Sequence, residues 1–93
     1  MRKYELIVIL EPSVDPLDTK KIDGIIRKLL GTGAGYIKNL TVIGKKQLAY
    51  EIGGHNEGVY VEVILEAPKI DSREMSRQTK LMTEIIRYSL ILV

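Results

Sequence analysis

The chain has no cysteine, which excludes disulfides, thiolate metal sites and a cysteine nucleophile. It has neither phenylalanine nor tryptophan, so its aromatic content rests on five tyrosines. That is a thin supply for a surface that would stack nucleic-acid bases. No apolar run approaches the ~20 residues of a membrane span. The opening Met1-Arg2-Lys3-Tyr4-Glu5 enters a strand pattern directly, without the apolar region and cleavage site of a signal peptide. These absences point to a soluble cytoplasmic protein with no membrane contact. Charge of one sign is scarce as well: Lys and Arg exceed Asp and Glu by only two, for a net charge of +2. So balanced a chain does not attract a polyanion as a whole, and any RNA binding must come from local clustering of basic residues.

The 93 residues suit one small domain spanning 1–93. At this size about 60–65% of the unfolded surface is buried, so stability is modest unless a partner adds to it. Lys3 to Leu10 alternates, with Tyr4, Leu6, Val8 and Leu10 opposite Glu5, Ile7 and Ile9. Both sets are largely apolar, which predicts a central strand covered on each face. After Pro12, Asp15 is placed to cap a helix, with Pro16 at its first position and Asp18 near its positive end. Ile22, Ile25, Ile26, Leu29 and Leu30 follow at helical spacing, and Gly31 and Gly33 stop the helix.

Tyr36 to Ile52 reads as a long strand with a bulge or bend near Gly44, because Ile37 and Leu40 break strict alternation. Within it, Leu48, Tyr50 and Ile52 share one face, with Ala49 and Glu51 on the other. Gly53 to Gly58 is a turn, and Val59 to Ala67 returns with Val59, Val61, Val63 and Leu65 inward. Asp71 and Glu74 form the pattern of a capping box for a second helix running to about Glu84, with a weak apolar face of Met75, Leu81 and Met82. Arg87 to Val93 is the last strand. The order βαββαβ is that of an α+β ferredoxin-like sandwich: a four-stranded antiparallel sheet with two helices on one face.

Catalytic chemistry finds little support. His55, the only histidine, lies in a glycine-rich turn, where Glu51 and Glu57 are its only acidic neighbours in sequence. A catalytic imidazole needs an orienting group and a cleft. Gly31-Thr32-Gly33-Ala34-Gly35 follows a helix, whereas phosphate-cradling glycines sit between a strand and the start of a helix. No cofactor, metal or small-molecule substrate is expected.

Two surfaces remain. On the sheet face away from the helices, Ile7, Ile9, Tyr60 and Ile64 would form an apolar patch among Glu5, Glu62 and Glu66, a composition that suits a protein partner better than RNA. The basic residues are better arranged. Lys69, Arg73, Arg77 and Lys80 fall on one stripe of the second helix, Arg2 and Lys3 open the first strand, Lys45 and Lys46 sit at the bend, and Arg87 opens the last strand. Arg2, Lys3, Lys45, Lys46, Arg73, Arg77, Lys80 and Arg87 are the candidate RNA-backbone contacts, since phosphate binding needs only positive charge and reach. On the first helix Lys20, Lys21, Arg27 and Lys28 are interleaved with Asp18 and Asp23, the pattern of a solvated face.

Gly44-Lys45-Lys46-Gln47-Leu48-Ala49-Tyr50-Glu51-Ile52 also resembles the signature of the bacterial small-subunit ribosomal protein S-six family. Tyr4-Glu5 near the start, Gly58-Val59-Tyr60 opening a strand that ends in Glu66-Ala67-Pro68, and Arg87-Tyr88 near the end match in the same order. The resemblance implies the same fold and a non-catalytic structural role in the small ribosomal subunit. It also implies binding to the central domain of small-subunit ribosomal RNA beside a partner, ribosomal protein S-eighteen. Lys45-Lys46 match the family's basic pair, and Lys80 and Arg87 stand at basic positions. Gln47 departs from the family, which has a third basic residue there. A ferredoxin-like regulatory module that binds a small ligand or dimerises through its sheet is the alternative.

Overall fold

The computed structural model describes residues 1–93 and contains the βαββαβ order. The elements are β1 (Arg2–Leu10), α1 (Thr19–Leu30), a 3₁₀ turn (Gly31–Tyr36), β2 (Ile37–Ile52), β3 (His55–Ala67), α2 (Ser72–Leu81) and β4 (Ile85–Leu92). The strands lie in the order β2-β3-β1-β4, each antiparallel to its neighbours. Because residues two apart share a face, pairing Leu6 with Val63 and Val8 with Val61 brings two apolar rows to the same side.

That side is the core. Tyr4, Leu6, Val8 and Leu10 of β1 and Val59, Val61, Val63, Leu65 and Ala67 of β3 are buried against Ile22, Ile25, Ile26, Leu29 and Leu30 of α1. The helix stripe and the strand alternation thus meet as expected. Val14 is also buried: the loop after β1 turns a side chain inward to fill the gap beside α1.

Several boundaries differ from the sequence expectations, each for a local reason. α1 begins at Thr19, and its cap is Asp18, whose carboxylate accepts from the Lys21 N–H. Asp15 instead accepts from the Leu17 N–H and closes a turn around Pro16, so that the first helical turn starts three residues later than Asp15 would place it. Gly31 ends the helix at φ +58°, a value L side chains rarely adopt. Asp71 caps α2 as expected by accepting from Arg73 and Glu74 N–H. The capping box is half complete, because the Glu74 side chain turns outward to Arg77 and Gln78. α2 stops at Leu81, short of Glu84. Leu81 is 73% exposed, and the buried contacts of this segment are Ile70, Met75 and Met82.

Candidate nucleic-acid and partner interface

The hairpin of β2 and β3 is longer than a four-stranded sheet requires, and its far half forms an arm. Ile52 pairs with His55, so Gly53 and Gly54 alone make the turn, with φ of +56° and +81°. Two consecutive positive φ values define the hairpin turn whose twist matches the strands, and glycine accepts both. The loop of six residues expected from Gly53 to Gly58 is therefore a two-residue turn, and His55 belongs to the ladder. The expected irregularity at Gly44 is present: the register shifts between Val42 and Gly44, where φ is +123°. A further shift between Gln47 and Ile52 frees the middle of the arm from regular pairing.

The arm folds back over the sheet face that the helices leave open. Leu48, Ala49, Tyr50 and Ile52 line one hollow together with Ile7 and Ile9 of β1, Tyr60 of β3 and Arg87 of β4. Gly58 allows the close approach, since a Cβ there would lie 2.5 Å from the Ile9 Cγ2 and 3.0 Å from the Leu10 carbonyl oxygen. At the far side Arg87 Nη1 donates to the Tyr50 hydroxyl at 2.6 Å, so a residue from the edge strand β2 closes on the opposite edge strand β4. The hollow is about 230 Å³ in volume. Ile7, Ile9, Tyr60 and Ile64, expected as an open apolar patch, are half-buried, and three of them lie under the arm. The opening for a partner is correspondingly narrower than the sequence suggested.

The eight basic candidates do not form one patch. Arg2 pairs with Ala67 and Lys3 with Glu66, at the end of the sheet where β3 finishes. Arg87 pairs with Ile9, seven residues further along β1, which at ~3.3 Å per residue is on the order of 23 Å away. Lys45 and Lys46 pair with Val59 and Gly58, at the Arg87 end. Lys80 shares a shallow hollow with Arg87, Ile85 and Tyr88, so α2 delivers its last basic residue to the same end. Lys69 lies in the link between β3 and α2, ahead of the helix whose stripe it was expected to join, and Arg73 lies in the first turn of α2. Arg77 is paired with the Glu74 carboxylate three residues earlier on α2. A paired guanidinium has less charge to offer a phosphate. On α1 Arg27 and Asp23 form an ion pair at 2.8 Å, in keeping with a solvated face. Lys45, Lys46, Lys80 and Arg87 are thus the group the fold assembles, with no carboxylate within salt-bridge distance of any of them.

Tyr50 is the residue sequence reasoning left out of the site. Its place in the Leu48, Tyr50, Ile52 alternation marks it as a strand residue, but its partner lies 37 positions away. No local pattern reports such a contact.

The fold and the arm define a ferredoxin-like α+β protein with one sheet face closed by helices and the other by its own hairpin. A crystal structure described as 30S ribosomal protein S6 from Thermotoga maritima has this fold, with a TM-score of 0.80 and 24% identity, covering 99% of this chain and 87% of that one. The family described as Ribosomal protein S6 matches residues 3–91. Among its relatives, the Small ribosomal subunit protein bS6 of Beutenbergia cavernae is 37% identical over 91 residues, covering 98% of this chain and 95% of its own. The protein of the same name from Acholeplasma laidlawii is 36% identical over 87 residues, covering 94% and 92%. The chain belongs to the ribosomal protein S6 family.

Proposed function

We propose that this protein is a structural, non-catalytic constituent of the small ribosomal subunit, binding the central domain of small-subunit ribosomal RNA beside a partner, ribosomal protein S-eighteen. The observation that carries the reading is the meeting of Lys45, Lys46, Lys80 and Arg87 at one end of the sheet. Four cations with no carboxylate within salt-bridge distance suit phosphate oxygens, which demand charge and reach but no base-specific geometry. Arg2, Lys3, Arg73 and the partly neutralised Arg77 form the outlying part of the contact surface.

The partner is assigned to Ile7, Ile9, Tyr60 and Ile64. At about 230 Å³ the hollow beside them is smaller than the ~300–1,000 Å³ of small-molecule pockets, so it suits one apolar side chain of a protein better than a metabolite. A net charge of +2 is little with which to hold a polyanion, and a more basic partner would supply the missing attraction. The test is sedimentation of the tagged protein with small ribosomal subunits from a bacterial lysate. Co-migration with the small subunit is the expected result, and free migration at the monomer position would reject the reading.

A further inference from the structure

Of the four cations that meet at one end of the sheet, Arg87 is the only one hydrogen-bonded to another side chain. Its Nη1 donates to the Tyr50 hydroxyl at 2.6 Å, and no carboxylate lies within salt-bridge distance of it. The phenol is neutral, so this bond orients the guanidinium without cancelling its charge. A carboxylate in the same place would do the opposite. A guanidinium has five N–H donors, and one bond leaves the rest free for a phosphate. With its oxygen accepting from Arg87, the Tyr50 hydroxyl also has its own proton turned elsewhere. Tyr50 is 62% exposed, so that proton is open to solvent or to a ligand. At the root of the arm Gly58 of β3 has no side chain, which lets that strand lie against Ile9.

We infer that Tyr50 is a positioning residue for RNA binding: its hydroxyl holds Arg87 in a phosphate-binding orientation. This rests on the assignment of Arg87 to the RNA contact. Ordering a long, freely rotating side chain in advance removes part of the entropy that binding would otherwise cost. The alternative use of an exposed tyrosine is stacking on a base, which needs the ring and not the hydroxyl.

The experiment measures affinity and salt dependence on a transcript of the central domain of bacterial small-subunit ribosomal RNA, with S-eighteen saturating. Tyr50→Phe keeps the ring and loses the hydroxyl. It should weaken binding roughly two- to tenfold, the effect of one side chain no longer ordered in advance. The salt slope should not change, since no charge is lost. Arg87→Ala should weaken binding and lower the slope by about 0.7–0.9 for one phosphate contact. The decisive comparison is Tyr50→Phe in the Arg87→Ala background, where no further loss is expected because the residue being positioned is gone. An equal loss in both backgrounds would overturn the inference. So would wild-type binding by Tyr50→Phe with weak binding by Tyr50→Ala, which is the signature of stacking. If Arg87→Ala alone changes neither affinity nor slope, the assignment of Arg87 fails and the inference fails with it. If Arg87→Ala acts as expected but Tyr50→Phe does not, only the positioning role is lost.

Discussion

The two faces of the sheet are closed in different ways. On the helix side Leu6, Val8, Leu10, Val59, Val61, Val63 and Leu65 have no exposed surface, and the residues facing them come from a helix whose apolar stripe is complete. On the other side Ile7, Ile9, Tyr60 and Ile64 are only half-buried, and what covers them is an extension of the sheet itself. The first closure rests on apolar burial, which is strong and needs no particular contact. The second rests on partial apolar cover by Leu48, Ala49 and Ile52, on the missing Cβ at Gly58 and on one hydrogen bond between Arg87 and Tyr50. Stability is therefore expected to reside on the helix face, and binding on the arm face, where surface is still left to bury.

Substitutions on each face test that division. The largest effect belongs to the helix face. Leu30→Ala removes a buried side chain and should cost about 2–5 kcal/mol by chemical denaturation. A cost below half a kilocalorie per mole would mean that this face does not carry the fold.

On the arm side the strongest structural effect should come from Gly58→Ala. The added methyl meets both a side chain and the Leu10 backbone, and strain of this kind costs about 1–3 kcal/mol. Relief by Ile9→Ala in the same chain would confirm the contact. An unchanged midpoint in the single variant would show that the arm is not held there.

Ile9→Glu places a carboxylate on the arm side, opposite Arg87 and away from the core. It should leave the fold intact and weaken association with S-eighteen by about tenfold or more, in the range of an interface residue worth over 1 kcal/mol. Titration calorimetry with the purified partner reads this directly. Wild-type affinity in a folded variant would move the partner to a strand edge instead.

The gentlest expected change is in ionic strength dependence. Replacing Lys45 and Lys46 together by Ala should reduce the salt slope of RNA binding by about 1.4–1.8 if each lysine meets one phosphate. Stability should hold, because both lysines are exposed. An unaltered slope would remove them from the interface.

What could be read from the chain alone follows from local periodicity. Alternation along Lys3–Leu10 and the 3.6-residue stripe from Ile22 to Leu30 establish the helix face, because each pattern lies within one element and has only one way to be buried. The family signature, being a string of neighbouring residues, was legible for the same reason. The start of α1 was misjudged because two acids competed for one role. Asp15 and Asp18 both suit a cap, and the turn around Pro16 gives Asp15 to Leu17 and leaves the helix to Asp18. Only the tertiary structure decided that the arm curls over the open face, that Tyr50 meets Arg87, and that Lys80 joins Arg87 while Arg2 stays at the far end. Those outcomes depend on register between strands and on packing between residues far apart in sequence. Neither leaves a mark on the pattern of any single segment.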